Sequence, residues 1–374
     1  MKIMTPGPTQ VRENVRLARS RVTTNPDLDL AFYDFYKDTC ELLSKLLFTQ
    51  NRSYILSGEG ILGLEAACAS LTEPNSRVLV LDNGIFGAGF ADFVELYGGR
   101  AVRYRQDYRR ALELAPLAEF LRQDHDFTYA TLVHVDTPSA MKNDLEVLCP
   151  LLKSYGILTV VDSVAGMFGE ELNVDQAQID ILCGGSQKAL SAPPGLTMLT
   201  VSPAAVAAMR QRKTPVASFY ANILNYVDYY ENKWFPYTMP VSDIEGLRAA
   251  LENVSAEPQI VARHARLAKA LRSALTAAGL KLFGENGYSN NVTAFELPLG
   301  ISAAALLNEL KEKYSLLLAG SLGELEGKLI RIGHMGENAN FADLALTCEA
   351  LNASLPDLGF ELQADIKQVF ANGL

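Results

Sequence analysis

The chain has 374 residues and a formal net charge of −10, long enough to bury a large core and to divide into two domains. An acidic balance without basic runs excludes nucleic acid and anionic membrane surfaces as partners, and no stretch reaches the ~18 apolar residues of a membrane span. Five cysteines, Cys40, Cys68, Cys149, Cys183 and Cys348, lie scattered in apolar segments without zinc-ligand spacing. They predict reduced core thiols and no metal site. With no apolar leader at residues 1–6, a soluble cytoplasmic protein is expected.

In chain order, Pro6, Gly7 and Pro8 predict a stiff extended arm. Residues 29–48 carry Leu30, Phe32, Phe35, Leu42, Leu43, Leu46 and Leu47 at helical spacing, a helix with these side chains in the core. Ser53–Leu56 reads as a short strand entering Ser57-Gly58-Glu59-Gly60-Ile61-Leu62, where the pattern turns helical. Such a glycine-rich turn gathers free N–H groups and the positive end of the helix dipole. Gly60, Ile61 and Leu62 are therefore candidate backbone donors to an anion. Arg77–Leu81 is a strand that ends at the turn residues before Phe86. Arg100–Tyr104 predicts an outer strand, Leu112–Arg122 a helix, Ala130–Val135 a strand leading to Asp136-Thr137-Pro138, and Leu145–Tyr155 a helix. His134 reads as a hydrogen-bonded structural histidine.

Residues 157–162, Ile-Leu-Thr-Val-Val-Asp, predict a buried strand that ends in a carboxylate. The apolar run Ile179–Cys183 then enters Gly184-Gly185-Ser186-Gln187-Lys188, and Pro193-Pro194-Gly195 stiffens the exit toward Thr197–Val201. Lys188 is open to two readings. It is a lysine on a surface loop, or it is a neutral amine forming a Schiff base with a carbonyl cofactor. Ligands of open α/β sheets sit beyond the carboxyl ends of strands. Asp162 and Lys188 there are the two groups a pyridoxal coenzyme needs, an acid that keeps the pyridine nitrogen protonated and an amine that carries the aldehyde. The alternation of strands and helices from about 53 to 201 predicts an α/β fold with a mostly parallel, doubly covered sheet.

Pro203–Arg212 is helical, and Ser218–Tyr237 is rich in aromatics (Phe219, Tyr220, Tyr226, Tyr229, Tyr230, Trp234, Phe235, Tyr237), which fits a subunit interface. Asp243–Ala278 reads as a long helix punctuated near Pro258 and ended by Gly279. Its basic residues Arg263, His264, Arg266, Lys269 and Arg272 are expected mostly on a solvated face. Strand signals at Lys281–Phe283, Val292–Leu297, Leu316–Ala319 and Leu329–Ile332, with two or three helices, predict a smaller C-terminal α+β domain. The expected division is 1–254 and 255–374. Arg331 lies inside an apolar strand, where a guanidinium needs a partner: an internal carboxylate, or a substrate's.

The segments Asp162-Ser163-Val164-Ala165, Gly185-Ser186-Gln187-Lys188-Ala189-Leu190, Ala192-Pro193-Pro194-Gly195, Thr5-Pro6-Gly7-Pro8-Thr9 and Arg331-Ile332-Gly333 resemble the class V aminotransferases of fold type I. The likeness, to the alanine–glyoxylate and serine–pyruvate group, covers nearly the whole chain. It implies a seven-stranded, mostly parallel sheet, pyridoxal 5'-phosphate on Lys188, alanine or serine as donor, glyoxylate or pyruvate as acceptor, and a homodimer with shared sites. It also implies that Phe86 and Val164 cover the two ring faces, that Thr137 touches the ring hydroxyl, and that Gln187 belongs to a phosphate-binding site. Thr238 is expected near the phosphate of the neighbouring subunit. Arg331 and the arm at Gly7 are expected to hold the substrate carboxylate.

Two residues depart from this pattern. Glu59 stands where most members carry serine or threonine, beside the expected phosphate or turned to solvent. Phe235 replaces a tyrosine that reaches the phosphate. Both changes resemble the pyridoxamine–pyruvate transaminase branch, which uses the unphosphorylated vitamin as substrate. Gly63-Leu64-Glu65-Ala66-Ala67, Asp136-Thr137-Pro138-Ser139 and Gly327-Lys328-Leu329 match that branch too, whereas Leu322 stands where it carries a second arginine. Pyridoxal or pyridoxamine as substrate is thus the alternative expectation. A lyase on the same fold and a non-catalytic vitamin B6 binding protein are further alternatives. Cysteine desulfurases carry histidine where Gln187 stands.

Overall fold

Seven strands form the central sheet in a computed structural model that describes residues 1–374. Their order is Arg52–Ser57, Leu196–Val201, Ile181–Gly185, Leu158–Asp162, Tyr129–Val133, Arg77–Asp82 and Arg100–Arg105. Only Leu196–Val201 runs against its two neighbours. Continuous apolar runs such as Val78-Leu79-Val80-Leu81 are wholly buried, the pattern of strands covered on both faces. The Gly60–Leu71 helix lies tight on the sheet because its inner face is small. A Cβ on Gly63 would meet Thr197 Cγ2 at 2.4 Å.

This topology sets the site. The strands ending at Ser57, Asp82, Val133, Asp162 and Gly185 all point the same way. The loops after them, which carry Glu59, Phe86, Thr137, Val164 and Lys188, therefore open on one edge of the sheet.

A second apolar core, with Leu271, Leu275, Phe295, Leu351 and Phe370, is separate from that of the main sheet. It lies between a three-stranded antiparallel sheet (Val292–Glu296, Leu329–Gly333, Ala319–Gly320) and helices that include Ile260–Ala277 and Phe341–Asp357. The amino-terminal arm ties the two cores together. Lys2–Ile3 pairs with Leu316–Leu317, Gly333 N donates to Met4 O at 2.7 Å, and Thr9 N donates to Gln187 O at 3.0 Å.

Several expectations need correction. Leu30 is the first residue of its helix and is 61% exposed, while Phe32, Tyr36 and Leu43 fill the core. The long C-terminal helix is two, Val241–Ser255 and Ile260–Ala277. Pro258 lies between them, lacking a donor and disfavouring helix in the residue before it. His264 is fully buried and accepts from Gly336 N at 2.8 Å. Lys281–Phe283 forms no strand, only a bridge from Leu282 to Phe295, and Leu316–Ala319 splits between two sheets. Of the aromatic segment, Tyr226, Tyr229 and Phe235 are core, whereas Phe219, Tyr220 and Trp234 are exposed. All five cysteines are buried and unpaired, and no helix is long and apolar enough to cross a membrane.

Gly333 is where the arm crosses the small sheet, and a Cβ there would lie 2.1 Å from Thr5 O and 2.6 Å from Pro6 N. Overpacking of this kind costs about 1–3 kcal/mol. Gly333→Ala is expected to lower the unfolding free energy by that amount in denaturant titration. An unchanged midpoint would show that the arm is not seated there.

Candidate active site

Lys188 is held by three separate parts of the chain. Ser186 Oγ donates to Pro193 O at 2.6 Å, closing the loop on itself. Ser191 adopts a left-handed backbone (φ 58°) that a non-glycine residue rarely keeps without support. Support comes from the arm, where Thr9 Oγ1 bonds both Lys188 O (3.1 Å) and Ser191 Oγ (3.2 Å), and from Glu337 N, which donates to Ser191 Oγ at 2.8 Å. The arm then passes over the amine, and Lys188 Nζ donates to Pro6 O. Gly7 has φ +93°, and a Cβ on it would sit 2.5 Å from Lys188 Cδ. Only glycine fits.

Burial pushes the Lys188 amine down to about 8, with Arg331 adding and Glu59 and Asp162 opposing. Burial likewise pushes Asp162 up to about 7, against the hydrogen bond its Oδ1 accepts from Val164 N at 2.8 Å. Lysine and acid line one cleft with Glu59, Ile61, Phe86, Thr137 and Val164. Gly60 abuts this cleft, since a Cβ on it would lie 2.8 Å from Val164 Cγ2.

Sequence reasoning passed over Asp136 as a positioning group. It is 1% exposed, accepts from Phe86 N at 2.9 Å and from Ser139 Oγ at 2.7 Å, and so fixes the start of the Ile85–Leu96 helix that carries Phe86. A Cβ on Gly84 would lie 2.3 Å from its Cγ. The available signal was the one used for Asp162, an apolar strand ending in a carboxylate.

The expected anion cup is already engaged. Glu59 caps the Gly60–Leu71 helix, its Oε2 accepting from Ile61 N at 2.9 Å and its backbone carbonyl from Leu62 N at 2.8 Å. Gln187 Nε2 donates to Glu59 Oε1, and Gln187 Oε1 is buried without a partner. Two of the three candidate amides thus serve Glu59, whose carboxylate turns inward rather than to solvent. A pyridoxal ring fits this cleft well, with an amine, a buried acid and an aromatic face around it. Its phosphate fits only if Glu59 leaves the helix start.

Arg331 is 7% exposed, and its Nε donates to Gly320 O at 2.6 Å. It forms no ion pair; Asp136 acts on it only through space, and burial pushes its pKa down to about 10. The internal partner left open by the sequence is not there. Thr238 is exposed and bonds Asp27 Oδ2 at 3.2 Å, outside this chain's own cleft. Phe235 stacks on Tyr33 with ring centroids 4.7 Å apart, as a core residue.

The Asp162 shift has a stability consequence. Its folded value, about 7, lies above the ordinary 3.8. The folded state therefore holds the proton more tightly, and stability falls as pH rises from about 4 to 7. Asp162→Asn keeps an acceptor for Val164 N without the charge. In the cofactor-stripped protein it is expected to be the more stable form at pH 8 by roughly 1–4 kcal/mol and equal to wild type at pH 4 by denaturant unfolding. A wild-type advantage at pH 8 would contradict this account.

The Aminotransferase class-V family profile matches residues 41–322. An uncharacterized aminotransferase of Methanocaldococcus jannaschii is 35% identical over 96% of this chain and 94% of its own. The pyridoxamine–pyruvate transaminase of Mesorhizobium japonicum is 36% identical over 94% of this chain and 91% of its own. The crystal structure of pyridoxamine–pyruvate aminotransferase from Mesorhizobium loti superposes with a TM-score of 0.95 at 31% identity, covering 100% of this chain and 96% of that one. With a fold type I architecture and a half-buried lysine beside a buried acid, the chain belongs to the class V aminotransferases, enzymes that depend on pyridoxal phosphate.

Proposed function

We propose that the chain moves an amino group between a small L-amino acid, alanine or serine, and a small 2-oxo acid, glyoxylate or pyruvate. The observation that carries this reading is Arg331, a buried guanidinium without an ion-pair partner near Lys188. Such a fork takes a carboxylate bidentately. Arg331 therefore anchors the substrate acid, and the arm at Gly7 closes over it and keeps water out. Lys188 Nζ, depressed to about 8, would carry the coenzyme and is the base placed to take a proton from the substrate's α-carbon. Proton transfer by a positioned group contributes a factor of ~10²–10⁴. Pyridoxal phosphate supplies the electron sink, and Asp162 keeps its ring nitrogen protonated. Phe86, Val164 and Thr137, which line the cleft, would hold the ring.

Exposed Phe219, Tyr220 and Trp234 form an interface with a second copy in this reading, whose Thr238 approaches the phosphate end. The large unit is 1–254, the small one 255–374, and the enzyme works in the cytoplasm. The test is amino transfer from alanine or serine to glyoxylate or pyruvate, followed by product amino acid. Wild type is expected to turn over, Lys188→Ala to lose roughly 10²-fold or more, and Arg331→Ala to lose chiefly apparent affinity for the acids. No transfer with any of these pairs, coenzyme present, removes the proposal.

A second reading is favoured by Glu59. A carboxylate about 4 Å from a phosphate repels each unit of its charge by about 4 kcal/mol at an effective dielectric near 20. With Glu59 bonded to Ile61 N and Gln187 Nε2, the cleft suits pyridoxamine without phosphate as the amino donor and pyruvate as acceptor. Glu59→Ser is expected to tighten pyridoxal phosphate binding by about tenfold or more and to leave free pyridoxal no better bound, measured by equilibrium dialysis. Tighter pyridoxal phosphate than pyridoxal in wild type, unaltered by Glu59→Ser, removes this reading.

A further inference from the structure

The rim beside the Arg331 fork is aliphatic, and the chain holds it in place. Gly320 O accepts from Arg331 Nε at 2.6 Å, and Ser321 Oγ donates to Pro138 O at 2.7 Å. Gly323 takes φ +55° and lies against Ile85, whose Cδ1 a Cβ would meet at 3.0 Å. These three anchors fall on the fork itself, on the neighbour of Thr137 and on the neighbour of Phe86. Leu322, between them, is 46% exposed, and Ile61, which lines the cleft, is 43% exposed. A leucine so open, on a segment so tightly held, is not filling the core.

The charges around the cleft are mixed, with acids in excess. Glu59, Asp136 and Asp162 supply the negative groups, while Lys188 and Arg331 supply the positive ones. Arg331 has one carboxylate to take. Arg105, the guanidinium that reaches this segment, is held by both oxygens of Glu324 at 3.1 and 3.0 Å. A second carboxylate on a substrate would meet leucine, isoleucine and like charge.

We propose that Leu322, with Ile85 and Ile61, forms an apolar lip that receives the substrate's side chain and selects short monocarboxylic amino and 2-oxo acids over dicarboxylic ones. This deepens the proposed transamination and rests on Arg331 as the carboxylate fork. Discrimination arises on both sides, since the accepted side chain covers apolar surface and the rejected one strands a charge.

Propionate and succinate test it without turnover, by calorimetric titration of the coenzyme-loaded protein. Propionate is expected to bind at least roughly tenfold more tightly than succinate. Leu322→Arg is expected to shrink that ratio by about tenfold through a new carboxylate pair. Leu322→Gln, which removes the apolar cover without adding a charge, is expected to shrink it less, by about two- to threefold. Equal binding of the two acids by wild type, or no change of the ratio in Leu322→Arg, overturns the lip. If the selectivity holds while no amino group moves between any substrate pair, the proposed transamination fails and the lip stands. If dicarboxylic acids are turned over as well as monocarboxylic ones, the lip fails and the transamination stands.

Discussion

The seating of the amino-terminal arm on the Lys188 loop is the contact on which the site depends. A lysine, an aspartate and an arginine are all withdrawn from water at the carboxyl edge of the sheet, and each desolvated charge costs several kcal/mol unless something compensates it. The arm supplies part of that compensation directly, as Pro6 O accepts from Lys188 Nζ. It supplies the rest by geometry. Thr9 joins Lys188 O to Ser191 Oγ, and Ser191 joins the loop to the small domain at Glu337. A strained backbone such as Ser191's persists only where its surroundings over-determine it, and here three chain segments do so. The depressed lysine follows from this enclosure and not from its immediate sequence neighbours, Gln187 and Ala189, which are neutral.

Glu59 shows how a helix N-terminus at such a site can be satisfied from within. The first N–H groups of a helix favour negative charge whatever its source. A phosphate and a capping carboxylate therefore compete for one place. With Glu59 on Ile61 N and Gln187 steadying its other oxygen, two of the three amides at the helix start are engaged without a ligand. A helix start so occupied needs less from a phosphate to satisfy its backbone. Phe235 is consistent with this economy, since it has become an aromatic core residue with no hydroxyl to offer.

Much of the fold was legible because buried parallel strands leave an unambiguous trace. Val78–Leu81 and Thr159–Val161 are apolar or β-branched at every position, and alternation with helices then implies the sheet. The site was legible to the extent that its residues follow such strands directly, as Asp162 and Lys188 do. What escaped depends on long-range partners. The direction of the Glu59 side chain is set by Gln187, 128 residues away, and burial of His264 by Gly336, 72 residues away. Neither leaves a periodic signal. Leu30 misled for the opposite reason. It keeps the helical spacing, but as the first residue of its helix it lies at the edge of the sheet's cover and stays wet.

The three-stranded sheet reaches the cleft at Arg331. The fork is held from its own sheet by Gly320 O, and the same segment is fastened to the large domain at Pro138 and Ile85. Fork and rim are therefore held together against the start of the Ile85–Leu96 helix. Glu337, on the same domain, holds Ser191 and through it the lysine loop. The positions of Arg331 and of the lysine loop are thus mechanically linked, since Arg331 and Glu337 lie on one stretch of chain. The linkage requires a rigid segment between its anchors, and residues 320–323 are that segment: pinned on both sides, with only the leucine free to meet what enters.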